Sequence, residues 1–392
     1  MAEKDWRAAL RDILRDVLNE RSDATAPVTA SANPTMAGYP ETLVGDAAPR
    51  DLPARLMGVA QPARPAPADV AILPNARAKL TPGKMVLGVQ KDNSVHIFDP
   101  SDGTFEIYCR LEGSPMLLWR AIPGPDGKLF IAMSGTRWPG HPTEVAFGQG
   151  GAIFLADHRD ENLFLIPGSE TFLDPGEILF QKDALVVVDF MGFGGSGKIY
   201  KLDPKTGTRT LLFEGEPLKE PVALAALGED EYVIANSFMR YAPTTGPGGA
   251  KLKEMGALLH LRQGRIDIIH DETRTPRGVI DSVAVDDQDG TYILYSRNDW
   301  PLQESGGIFV RKSDTGEIKP LLEASEHETI FARVSDVMAG IGAVADSYNK
   351  VLYTVDVKAG TILDKWSLEP VLGTGKGMVT PLETVESIRW LR

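Results

Sequence analysis

The sequence holds one cysteine, Cys109, which excludes an internal disulfide and any multi-thiolate metal site. Its place on a strand predicts a buried, inert thiol. No apolar run approaches the ~20 residues that a membrane helix needs. The N-terminus shows no apolar signal core before a cleavage site, so a cytoplasmic protein is expected. Basic runs are missing too: 41 Lys and Arg stand against 54 Asp and Glu, a formal net charge of -13. That balance argues against a nucleic-acid partner and against an anionic membrane surface. The six histidines are scattered, and no G-x-S-x-G, H-E-x-x-H or C-x-x-C pattern announces a nucleophile or a zinc site.

What is present is a repeated hairpin. Lys198–Asp203 alternates apolar and polar residues, Pro204-Lys-Thr-Gly207 is a turn by composition, and Thr208–Phe213 is its return strand. With Ala184–Asp189 before it and Pro221–Ala226 after it, the stretch reads as one four-stranded antiparallel meander. Asn93–Gly103 with Thr104–Tyr108, and Gly307–Gly316 with Glu317–Leu322, repeat the pattern. Paired apolar runs lie beside these hairpins: Met116–Trp119 with Lys128–Ala132, and Ser282–Asp286 with Thr291–Tyr295. Copies recur at roughly 40–60 residues, the spacing of propeller blades. Five units are clear and a sixth is inferred, so the expected fold is an all-β, six-bladed β-propeller over residues 80–392. Ala68–Leu73 and Glu383–Leu391 are candidate extra strands, of which a terminal one would close the ring.

Before the ring come two other segments. Residues 1–22 carry Trp6, Leu10, Ile13, Leu14, Val17 and Leu18 at spacings of three and four, an amphipathic helix with one apolar stripe. Residues 23–79 are rich in Ala and Pro and read as a flexible linker. A helix of this length is marginal alone, so its stripe should dock on a partner, on the propeller or on another copy.

Chemistry is less plain. Gly192–Gly197 matches G-x-G-x-x-G literally, but a strand follows where a dinucleotide site needs a helix, so a hairpin connection is expected. Gly373–Gly377 lacks the spacing of a phosphate loop. Inner strands of a propeller converge on a central channel, where oxygen ligands from several blades suit a hard divalent cation, calcium above all. Asp281 and Asp336 stand beside inner-strand runs, Glu112 and Glu220 are placed similarly, and Asn236 and Asn298 close second strands. For each of these the plainer use is a cap or a hydrogen bond that holds a blade.

Two resemblances bear on these residues. The strand order and the Lys198–Gly207 hairpin resemble the SMP-30/gluconolactonase and strictosidine-synthase-like six-bladed propellers, with Asp281-Ser-Val-Ala-Val-Asp286 and Gly290-Thr-Tyr292 similar to one of that family's segments. This implies a metal-dependent hydrolase of a lactone or ester, with Asp281 as a metal ligand and base and Glu112 as a second ligand; Asn236 or Asn298 stands in for the family's asparagine by analogy, and Asp336 joins the expected metal set from its place before an inner-strand run. Glu112-Gly113 matches the family's first-blade glutamate loosely, and its Asn-Gly ligand motif has no clear counterpart. Trp6–Glu20 followed by the linker resembles the encapsulation peptides of bacterial microcompartment cargo, which implies a shell protein as partner and a location inside a microcompartment. Three functions stay open: the hydrolase, a non-catalytic propeller that binds a small molecule or protein on its loop-rich face, and a microcompartment component. A cation held by three or more protein oxygens in the channel would favour the first, and an occluded channel the second.

Overall fold

The computed structural model describes residues 71–74, 79–112, 116–138, 141–146, 151–157, 163–190, 197–241, 253–271, 278–288, 290–299, 306–324, 330–375 and 384–392. The amphipathic stretch at 1–22, with Trp6 to Leu18, lies outside the described residues.

The described chain is almost all strand. β1 (Ala71–Pro74), β2 (Met85–Val89), β3 (Ser94–Asp99) and β4 (Thr104–Glu112) begin it. The second blade holds β5 (Met116–Pro123), β6 (Leu129–Trp138), β7 (His141–Ala146), β8 (Ala152–Ala156) and β9 (Leu163–Leu165). β10 (Pro175–Gln181), β11 (Ala184–Asp189), β12 (Lys198–Leu202) and β13 (Arg209–Glu214) form the third. β14 (Pro221–Gly228), β15 (Glu231–Tyr241), β16 (Lys253–Arg262) and β17 (Arg265–Asp271) form the fourth. The fifth is β18 (Gly278–Val285), β19 (Tyr292–Asp299), β20 (Gly307–Lys312) and β21 (Ile318–Glu323). The sixth is β22 (Ala332–Met338), β23 (Ile341–Asp346), β24 (Val351–Asp356) and β25 (Thr361–Ser367). Last, β26 (Val385–Trp390) returns to the first blade, whose order is β1-β4-β3-β2-β26.

This is a six-bladed β-propeller. Its ring is closed by β26 pairing antiparallel with β2, Met85 opposite Trp390, so that the C-terminal strand becomes the innermost of a blade begun at residue 71. Both terminal strands expected from the sequence are present. β1 pairs with β4, so the propeller takes in residues from the span expected as linker. The inner strands β5, β10, β14, β18, β22 and β26 touch their neighbours in cyclic order, the last touching the first.

Each blade buries both faces against the next. Apolar clusters fill the six gaps: between blades one and two, two and three, three and four, four and five, five and six, and six and one. That is why β2 (MVLGV) and β11 (ALVVVD) are buried throughout instead of alternating. Outer strands such as β13 and β25 face water and carry the charges. Cys109 is fully buried, as expected, and burial pushes its thiol up to about 12.

One expectation is corrected. The stretch from Ala184 to Ala226 is not a single meander: β11, β12 and β13 are the second to fourth strands of a blade whose inner strand is β10, and β14 opens the next blade. Alternation marks strands but does not say which connection is a hairpin and which carries the chain from the rim back to the axis. Pro175–Gln181 opens on Pro-Gly-Glu, which hid its strand character. The Gly192–Gly197 run, by contrast, does link antiparallel strands, with Asp189 opposite Lys198.

Candidate functional site

The inner strands all begin at one face of the ring, and that face also receives the connections from second to third strands. Five inner strands each carry a charge: Glu177 on β10, Asp281 on β18, Arg333 on β22 and Glu386 on β26 in the first half, and Arg120 just past the middle of β5; β26 adds Arg389 further along. The six form one chain of ion pairs across the channel. Arg120 Nε donates to Glu177 Oε2 at 3.0 Å, and its Nη1 lies 3.5 Å from Glu386 Oε2. Arg333 Nε is 3.2 Å from Glu386 Oε2 and its Nη2 3.9 Å from Asp281 Oδ2. Arg389 Nη2 donates to Glu177 Oε1 at 2.9 Å.

Arg120 is the hub. It is 1% exposed and also donates to the carbonyls of Trp119 at 2.9 Å and Val222 at 3.2 Å, reaching past β10 to β14. Arg389 likewise spans from β26 to β10. The channel is therefore occluded at this level by charged side chains, three positive and three negative. Removing so many charges from water is costly unless they are paired and hydrogen-bonded, and here they are paired with one another.

Asp281 sits at the start of this chain. Asn298 Nδ2 donates to both its oxygens at 2.8 Å and Ser296 Oγ to Oδ1 at 3.0 Å. Burial pushes its carboxyl above the ordinary carboxylate range, and Arg333, Asn298 and Ser296 offset this only in part. Burial would lower Arg333, but the charges of Glu386, Asp281 and Glu177 outweigh it and hold the guanidinium firmly cationic.

The other residues singled out in the sequence lie apart from Asp281. Asn236 is fully buried at the fourth blade, where its Oδ1 accepts from the backbone N–H of Lys219 at 3.0 Å and of Glu220 at 3.2 Å. Asp336 lies late in β22, at the opposite face, and accepts from Trp390 N at 3.0 Å and from Arg392 Nη2 at 2.9 Å. Like Asp281 on β18, it stands within its inner strand, whereas the sequence pattern places both just before one. The backbone of Glu112 closes β4, opposite Ala71, and its side chain lies outside the described residues. Among the described residues no group of three or more His, Cys, Asp or Glu could hold a metal ion. Asp281 and Glu177 already accept from Asn, Ser and Arg donors, and the three guanidinium groups of the channel would repel a cation. Among the described residues, which leave out the Glu112 side chain, this arrangement offers a divalent ion no fitting set of oxygens.

Asn236 belongs to a recurring clamp. At the end of a blade's second strand, or midway along it for Asn236 on β15, an Asp or Asn side chain holds the backbone leading into an inner strand. Asp189 accepts from Leu173 N at 3.1 Å, and Asp346 from Phe331 N at 3.3 Å and Tyr348 N at 3.1 Å. Asn298 accepts from Ala332 N at 3.3 Å and donates to Ala332 O at 3.1 Å, tying the fifth blade to the sixth. These clamps answer to the need to satisfy backbone groups where the chain dives to the axis.

Arg120, Glu177, Arg333, Glu386 and Arg389 were missed in the sequence. The available signal was a charge embedded in an apolar inner strand, as in Leu118-Trp-Arg-Ala121 and Phe331-Ala-Arg-Val334. Such charges are rarely buried unless paired.

No protein-family model matches the sequence, and no curated protein does. Solved structures do resemble it in shape. A chain of the nidogen–laminin complex aligns with a TM-score of 0.50 at 9% identity, covering 72% of this chain and 93% of its own. The periplasmic gluconolactonase of Pseudomonas aeruginosa aligns with a TM-score of 0.44 at 12% identity, over 79% of this chain and 99% of its own. Apo AztD of Citrobacter koseri aligns at 0.40 and 13% identity, over 79% and 84%. At these identities the likeness extends to the fold and no further.

Proposed function

We propose that this chain is a propeller that binds a small molecule on the face where its inner strands begin, and that its channel is a structural plug. The observation that supports this reading is the buried chain of ion pairs Asp281–Arg333–Glu386–Arg120–Glu177–Arg389, which lies across the axis. Binding on a loop-bearing face of a rigid scaffold is the common use of such architectures. The test is a thermal-shift screen of small metabolites on the full chain, followed by turnover assays on every hit. A ligand that raises Tm and is recovered unchanged supports the reading; sustained hydrolysis of a lactone or ester would replace it.

The second reading is that hydrolase, and Asp281 favours it. A carboxyl raised by burial beside a guanidinium is the pairing that a general base and an electrophile need. Lactone hydrolysis that disappears in Asp281→Asn, with far-UV circular dichroism unchanged, would establish it. Recruitment to a microcompartment shell through residues 1–22 stands on the sequence stripe alone. Residues 1–60 fused to a fluorescent protein should co-localise with shells, and Leu14→Asp should disperse the fusion; a diffuse wild-type fusion would end the idea.

A further inference from the structure

We propose that Arg333, with the rings of Trp119 and Phe331, forms a subsite for the carboxylate of a small ligand with a flat apolar body. This rests on the reading that the face where the inner strands begin binds small molecules, and it names the chemistry of one site there.

The three channel arginines are not equivalent. Arg120 gives three hydrogen bonds to Glu177, Trp119 and Val222, and Arg389 gives one to Glu177. Arg333 gives none among the described residues. Its Nε and the facing Glu386 Oε2 are both buried without a hydrogen-bond partner, although they lie 3.2 Å apart, because the approach is poorly directed. Its Nη2 stops 3.9 Å short of Asp281 Oδ2, beyond hydrogen-bond reach. The residue is nonetheless 9% exposed. A guanidinium this deeply buried has a planar fork of donors to satisfy, and a carboxylate meets that fork in two parallel hydrogen bonds.

The surroundings specify the rest of the ligand. The guanidinium carbon is 5.5 Å from the centre of the Phe331 ring and 6.0 Å from that of Trp119. Trp119 in turn faces Phe190 at 6.2 Å, and Phe331 packs on Tyr348. Arg333 thus lies among flat aromatic walls contributed by different blades. Such walls suit an aryl or otherwise planar group carrying the anion, because aromatic faces contact one another well when offset or tilted. Exposure separates it from its neighbours: the Arg333 side chain keeps 11% exposure, against 2% for Arg120 and 3% for Glu177.

The test is calorimetric titration of the full chain with three probes: benzoate, benzamide and inorganic phosphate. The expected result is one benzoate site, with benzamide and phosphate each at least tenfold weaker, since one lacks the charge and the other the ring. Arg333→Lys, which keeps the charge but loses the fork, should weaken benzoate at least tenfold. Arg333→Met should do the same, and the lysine variant decides if the methionine one fails to fold. Arg392→Met, at the opposite face, should bind as wild type. Equal binding of benzoate and benzamide, tighter binding of phosphate, no binding of any probe, or benzoate affinity unchanged in Arg333→Lys would each overturn the subsite. Benzoate binding that survives in Arg333→Lys would leave the binding face standing and remove only this assignment, so the two readings fail separately.

Discussion

Where third strands hand over to fourth, at the face where inner strands end, the chain turns on an Asp-to-Gly pattern repeated from blade to blade. Gly103 N bonds to Asp99 O at 2.9 Å, Gly207 N to Asp203 O at 2.9 Å and Gly360 N to Asp356 O at 2.8 Å, each glycine having positive φ. At the opposite face, residues 242–252 alone separate β15 from β16, and clamps such as Asp189 and Asn236 hold the backbone that leads inward. The acids of the two faces respond in opposite senses. Asp99 is pulled down to about 2, chiefly by its Ser101 hydroxyl and by Lys84, and Asp203 is lowered chiefly by the backbone N–H of Lys205. Asp189, Asp281 and Asp346 are all raised, in each case mainly by burial. The turn face is thus solvated and locally satisfied, while the other face stores buried charge. Buried charge costs stability wherever it is not used, which is the physical ground for placing function there.

The contrast can be broken most sharply at its hub. Arg120→Met should destabilise the ring by about 3–5 kcal/mol, because it leaves Glu177 and Glu386 buried with one partner fewer. Urea unfolding at neutral pH measures this. A loss near zero would mean that the ion-pair chain is solvated and the channel open.

On the turn face the expected cost is smaller. Gly207 has φ of 76°, and an added Cβ would lie 2.9 Å from the carbonyl of Pro167. Gly207→Ala should cost about 1–2 kcal/mol for the left-handed conformation alone, with some addition from that contact. Gly264, also at positive φ but with open space around it, should cost only the conformational part. Equal losses at both sites would show that the approach to Pro167 is relieved by movement.

The smallest effect concerns pH. A carboxyl raised in the native state contributes its stability fully below its unfolded value of about 4, and that contribution is lost as pH rises through the native value. Stability should therefore decline as pH rises above about 4 by the share of Asp189, Asp281 and Asp346. Asp189→Asn should flatten part of that decline, since an asparagine already serves at the matching place, Asn236. Asp203→Asn at the turn face should act in the other sense, removing stability that the wild type has above pH 4. Parallel pH profiles for the two variants would contradict the assignment of opposite roles.

How much of this was legible beforehand follows from the same contrast. The turn face is local. Asp203-Pro-Lys-Thr-Gly207 and its copies state their geometry within five residues, so the repeat, the blade number and the terminal closing strand could be read off the chain. The channel is not local: Arg120 meets residues 57 and 102 positions away, and Arg389 meets one 212 positions away. Each such residue looks alone like a stray charge in an apolar strand. Asp281 lies on an inner strand beside Asn298, which the sequence also offered as a candidate, but Arg333 was not foreseen, and its guanidinium adds donors to a site expected to hold acceptors. Asn236 and Asp336 offered similar side-chain oxygens, yet one clamps a backbone and the other ties down Arg392.

Calorimetric titration of calcium into the full chain tests the central claim most directly. The account predicts no saturable binding at the channel and the same trace for wild type and Asp281→Ala, because three guanidinium groups stand among the axial carboxylates and repel a cation. Calcium binding in the wild type that vanishes in Asp281→Ala would contradict it, and would return the channel to metal-assisted chemistry.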